Sequence, residues 1–225
     1  GQSNGFYTDG KYQMAIDGYK DILNSGFESL ELYYNLGNAF YKLNNIPESN
    51  FYYEKARSIS PSDEDILINL SFAQNLRIDK IEKLPVTQTK NLKINILNLL
   101  SEKGWSILLI ILAWIACISF ILYSSINNSS KKRIFFTQFI ILILSVIILF
   151  MINYEKKKLN NEKFAIIYDK EIEVWSEPNK ISELKFLLHE GTKVKQVDTI
   201  QDWVNIQLEN GTLGWIQSSS IKTLD

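Results

Sequence analysis

Side chains able to do covalent or metal chemistry are sparse in this sequence: it holds one cysteine, Cys117, and one histidine, His189. Cys117 lies inside an uncharged apolar run, where burial raises a thiol pKa, and a lone cysteine makes neither an intrachain disulfide nor a thiolate metal cluster. His189 has no cysteine or second histidine near it and is a poor metal ligand or general base. No paired carboxylates, phosphate-cradling glycine loop, or nucleophile with a base and an orienting group can be assembled. The expectation is a binding protein rather than an enzyme, with no catalytic residue, metal site or cofactor. What remains is binding chemistry. Tyr34, Asn35, Asn38, Tyr41 and Lys42 offer aromatic, amide and ammonium groups along one helical stretch, and Asn69 extends the set. Trp175 breaks the alternation set by Ile172 and Val174 and is the exposed-contact candidate of the C-terminal part. A net charge of -1 and a pI near 6 give no basic stripe for nucleic acid.

The element that must hold the first set is a helical repeat. Residues Leu30 to Asp63, LELYYNLGNAFYKLNNIPESNFYYEKARSISPSD, resemble one complete 34-residue tetratricopeptide (TPR) repeat. Tyr33, Leu36, Gly37, Phe40, Ser49, Tyr53, Ala56 and Pro61 fill its signature positions. Gly37 and Ala56 are small where two helices approach, the larger residues recur at helical spacing to fill the seam, and Pro61 stops the second helix. GKYQMAIDGYKDIL matches the second half of a preceding repeat, whose first helix would run through Phe6 and Tyr7. Asp63 to Arg77 reads as a capping helix with Leu67, Leu70 and Ala73 on one face. In such a stack the first helix of each repeat lines a concave groove, so Tyr34, Asn35, Asn38, Tyr41, Lys42 and Asn69 are the expected lining; the alternative is that they are ordinary solvated helix positions. Grooves of this family that clamp a peptide carboxylate carry lysine where this chain has Tyr34, which implies an amphipathic or extended protein segment as ligand.

Beyond the helical part (residues 1–84), residues 85–104 read as a linker or as a helix along a bilayer surface, with Leu92, Ile96, Leu99 and Leu100 on one face. Residues 105–126 and 134–153 are charge-free and long enough to cross the roughly 30 Å hydrocarbon core of a lipid bilayer. The short basic loop 127–133 forces an antiparallel hairpin, so the flanking parts share one side of the membrane. Lys131, Lys132 and Arg133 argue for a cytoplasmic loop, whereas Lys156, Lys157, Lys158 and Lys163 argue the other way. The start at Gly1 without methionine points to a removed signal peptide and an exported N-terminal part.

After a linker at 154–163, residues 164–225 change to period-2 alternation: FAIIY, EIEVW, TKVKQVDT, DWVNIQL and TLGWI, with an Asn210-Gly211 turn between the last two. Five short strands in about sixty residues imply a small barrel. The segment is similar to a bacterial SH3-like domain through Ser176 and Pro178, His189-Glu190-Gly191-Thr192, Asp202-Trp203 and Gly214-Trp215. Trp203 and Trp215 read as fillers of its core or core edge. The expected fold is thus multidomain: an all-α TPR repeat, a two-helix transmembrane hairpin and an all-β SH3-like barrel.

That order, with ELYYNLGNAFYK, DEDILINLSFAQ, LHEGTKV and the GW element, resembles the E-type members of the Bat (Bacteroides aerotolerance) proteins. The resemblance implies a scaffold in the bacterial inner membrane, with both soluble parts in the periplasm, beside membrane proteins with von Willebrand A domains and a MoxR-type ATPase. A rival reading, also by resemblance, is an envelope protein gripping peptidoglycan through the SH3-like domain.

Overall fold

Side-chain caps start three consecutive helices of the N-terminal part. Ser29, Asn45 and Asp63 accept backbone N–H bonds from Leu32, Glu48 and Ile66, satisfying donors that a helix start leaves open. The structure, a computed structural model, describes residues 1–82 and 87–224. Its N-terminal helices are α1 (Gln2–Thr8), α2 (Tyr12–Asn24), α3 (Leu30–Lys42), α4 (Ile46–Ile59) and α5 (Glu64–Asn75). They pair in sequence order, and Ala15, Ile16, Leu36, Ala39, Phe40 and Ala56 meet in their common core.

The close approach of α3 and α4 depends on Gly37. A Cβ there would lie 2.6 Å from Cδ1 of Tyr53, whose ring is almost wholly buried. Ser49, standing where the repeat usually has alanine, donates its hydroxyl to the Gly37 carbonyl at 3.0 Å, which removes the cost of burying it. The terminal helix differs from expectation in one residue. Ile66, Leu70 and Ala73 form the buried face of α5, and Leu67 points outward, because the stripe facing α4 begins one residue earlier.

The C-terminal part holds β1 (Lys163–Ile167), β2 (Glu171–Trp175), β3 (Leu184–His189), β4 (Lys193–Ile200), β5 (Trp203–Gln207), β6 (Leu213–Gln217) and β7 (Ile221–Thr223). They form one antiparallel sheet in the order β3-β2-β6-β5-β4-β1-β7. The expected five-stranded barrel is therefore corrected to an open seven-stranded sheet whose edges are β3 and β7. Two features keep it open. β2 spends its length on β3 and reaches β6 only at Trp175↔Trp215, beside a bulge at Val174/Trp175. At the other edge the helices take the place of a closing strand: Leu224 packs on the helical core, and the Lys222 ammonium lies 4.0 Å from the Phe51 ring centroid. Ile167, Val174, Val194, Ile206 and Ile216 fill the sheet's own core. Trp175, Trp203 and Trp215 are half-buried and stand outside that cluster, which fits the core-edge expectation for Trp203 and Trp215 and leaves Trp175 less exposed than expected.

Gly1–Leu84 and Lys163–Asp225 make one compact unit, and Pro85–Glu162 a second. The boundary expected at Leu84 and Pro85 lies outside the described residues. Within the second unit, α6 (Gln88–Leu97) precedes α7 (Glu102–Ser125) and α8 (Ser129–Asn160). Phe120 packs on Phe139 near one end of α7, and Ser106 bonds Asn153 near the other, so α7 and α8 run antiparallel. Both are long and apolar enough to cross a membrane. α8 continues through Tyr154–Asn160, where a linker was expected, since Lys, Glu and Leu there are good helix formers. Leu99 and Leu100 fall beyond the end of α6.

Candidate functional site

Three of the six groove residues converge. Tyr53 on α4 donates its hydroxyl to Asn38 Oδ1 at 2.6 Å, and burial raises that hydroxyl's pKa and keeps the proton on it. Asn69 Nδ2 on α5 donates to the Tyr34 hydroxyl at 2.6 Å and to Asn38 Oδ1 at 3.1 Å. The rings of Tyr34 and Tyr53 lie 6.0 Å apart, and Tyr34 and Tyr41 both pack on the small cluster of Tyr53, Leu70 and Ala73. Asn38 thus accepts twice through its oxygen. Its NH2 group and Asn69 Oδ1 are left uncommitted among the described residues, and Tyr34, Asn38 and Asn69 are only partly buried. The result is a polar, uncharged strip with one spare donor group and one spare acceptor, framed by aromatic rings. Asn35 is half-buried and Lys42 exposed, outside this hydrogen-bonded set.

Trp175 belongs to a different surface. It pairs with Trp215, and Trp215 pairs with Asn205, so the three lie in a row across β2, β6 and β5. The row is on the face opposite Val204, Ile206 and Ile216. Asn205 Oδ1 is buried without a hydrogen-bond partner.

A third cluster, between helices and sheet within the same unit, was not read from the sequence. Asp79 accepts bonds from the His189 backbone N–H (2.7 Å), the Thr192 hydroxyl (2.7 Å) and His189 Nδ1–H (2.8 Å). His189 Nε2 lies 3.4 Å from Glu171, and the Asp79 bond is the main cause that raises the imidazole pKa above 6.5. Asn50 donates to the Gly191 carbonyl at 2.9 Å. Gly191 has φ +80°, and a Cβ there would meet Ile46 at 2.6 Å. Glu54 pairs with Lys193 at 2.8 Å and with Arg57 at 3.1 Å, and burial lowers the Lys193 pKa while Glu54 opposes the shift. Glu48 accepts from the Tyr168 hydroxyl at 2.8 Å. The helix α4 is therefore buried on two faces, one against α3 and one against the sheet. Its sequence carries a signal of this: Asn50-Phe51-Tyr52-Tyr53-Glu54 puts large side chains all round the helix, a pattern that belongs to buried helices. This cluster is the seam of the unit rather than an open site. Among the described residues no group of three His, Cys, Asp or Glu side chains is placed to hold a metal ion.

The Tetratricopeptide repeat family matches residues 30–63, the segment spanning α3, α4 and the turn into α5. A repeat of this kind suggests a role in protein–protein interaction. No curated protein matches the chain.

Proposed function

We propose that this chain is a membrane-anchored scaffold that binds a protein segment in the groove of its helical stack. The observation that carries the reading is the hydrogen-bonded strip of Tyr34 and Asn38, on the first helix of the matched TPR repeat, with Asn69 on the next helix, and its spare amide donor and acceptor. Such groups suit the backbone of an extended or helical segment. The anchor is the α7–α8 hairpin. Ile110, Trp114 and Ile121 on α7, and Ile141, Leu144 and Ile148 on α8, are exposed apolar residues that a bilayer would cover. An even number of crossings also lets the stack and the sheet, which flank the hairpin in sequence, pack as one unit. The order of parts, and its resemblance to Bat proteins, supports an exported position for that unit and membrane proteins with von Willebrand A domains and their MoxR-type ATPase as the partners to test first.

The deciding experiment purifies the full-length protein from gently solubilised native membranes, beside a Tyr34→Ala/Asn38→Ala variant. Membrane proteins present with the wild type and absent with the variant support the groove. Identical partners with both exclude it.

A second reading rests on the Trp175–Trp215–Asn205 row. Two half-buried indoles paired across β2 and β6 suit the C–H face of a sugar ring. Here the sheet, similar to an SH3-like domain, would grip peptidoglycan. Pull-down on purified cell-wall sacculi, lost in Trp175→Ala, favours this reading; retention in that variant removes it.

A further inference from the structure

A helix that ends a stack needs a polar outer face, because no further repeat covers it. The outer face of α5 is not polar. With Ile66, Leu70 and Ala73 turned into the core, Ile68, Phe72 and Leu76 recur every four residues on the other side and are 50%, 53% and 42% exposed. At 100° per residue they make one stripe about two turns long. The two ends of that stripe carry groups of opposite charge. Glu64 and Asp65 occupy the first turn, and Lys80 folds back onto the other end, its ammonium donating to the Asn75 carbonyl at 2.6 Å.

We propose that this face pairs two copies of the chain, α5 against α5, antiparallel about a two-fold axis near Phe72. A two-fold interface requires a patch that complements itself, and this patch does. Antiparallel pairing places Phe72 on its counterpart and Ile68 on Leu76, and it brings the acidic first turn of one copy to Lys80 of the other. A parallel pairing would also stack Phe72 on its counterpart, but it would set Glu64 and Asp65 beside their own copies and lose the contact with Lys80. The opposite charges at the two ends thus fix both the occupant, a second copy, and its direction. Asn69, the α5 member of the groove strip, lies about 60° round the helix from Phe72, at the edge of this stripe, so dimerisation sets the two grooves beside the pairing surface.

The test uses the full-length chain in mild detergent. In a Cys117→Ser background, Phe72→Cys should give a covalent dimer under mild oxidation and Ser58→Cys, on exposed α4 surface, should not. With the native cysteine retained, Phe72→Asp should weaken dimerisation about tenfold or more by light scattering on a sizing column. Asp65→Lys should weaken it as well, and adding Lys80→Glu should restore it. If Phe72→Asp fails to fold, the two cysteine variants decide alone. A monomeric wild type at micromolar concentration overturns the proposal. So does a dimer that survives Phe72→Asp, or a complex dependent on Phe72 that contains a different protein in place of the second copy.

Discussion

Replacing Asp79 by alanine tests whether one carboxylate pins the β3–β4 turn to the helices. Three donors converge on it, and the Asp79 side chain is 11% exposed while Thr192 is fully buried. Alanine strands the His189 amide and the Thr192 hydroxyl. A hydrogen bond to a charged group contributes about 1.5–3 kcal/mol and a stranded buried donor costs about 1–3 kcal/mol. Water entering the gap recovers part of that sum, so the net loss should be about 3 kcal/mol. At about 1.4 kcal/mol per tenfold, the turn should open roughly a hundredfold more often. Hydrogen exchange read by mass spectrometry on the full-length protein measures this directly. Amides from Leu188 to Val194 should exchange roughly a hundredfold faster, while those buried in α3 keep their protection. Asp79→Asn, which retains an acceptor but loses the charge, should fall between. A turn whose exchange changes by less than about threefold in Asp79→Ala refutes the pin.

Other consequences are open to equally direct checks. Gly37→Ala pushes a methyl into the Tyr53 ring and should cost about 1–3 kcal/mol in denaturant unfolding, with loss of the Tyr53–Asn38 bond. Lys193→Met leaves Glu54, 3% exposed at its side chain, with Arg57 alone and should destabilise by about 3 kcal/mol; the double variant Lys193→Met/Glu54→Leu should recover most of it in the same assay. Because the folded state raises the His189 pKa, its contact with Asp79 and Glu171 stabilises fully below pH 6.5, and that contribution declines as pH rises through the higher folded value. Thermal melts from pH 5.5 to 8.5 should show this loss in the wild type and not in His189→Gln.

The parts written in short-range code were legible from the residues. Gly37, Ala56 and Pro61, at fixed offsets among aromatics, announce a pair of helices, and the matched segment coincides with the one those offsets mark. Uncharged runs of twenty residues announce long apolar helices in the same way. The strand Leu184–His189 escaped because LKFLLH does not alternate: it sits at an edge, with Leu184, Lys185 and Leu187 exposed, so no period-2 pressure acts on it. β7 is three residues long, too short for any period. Tyr34, Asn38 and Asn69 could be proposed together from repeat geometry, yet that Asn38 would spend its oxygen twice depends on where the Tyr53 hydroxyl ends, which only packing decides. Asp79 bonds a residue 110 positions away, and no local pattern encodes that partner.

The first unit is built from two stretches of chain with the second unit inserted between them. During synthesis the helical stack is therefore complete in sequence long before the strands that cover α4 exist. Ile166, fully buried in the helical core, is made only after the whole inserted unit. Until it arrives, Phe51, Asn50 and Glu54 face solvent and the stack is an unfinished body. Joining the two stretches would require closing a loop of about eighty residues, an entropic cost that grows with loop length. The hairpin shortens that loop, because pairing α7 with α8 brings Glu102 to within 3.1 Å of Asn160. Pairing within the apolar insertion thus shortens the loop that the sheet must close to reach the helices.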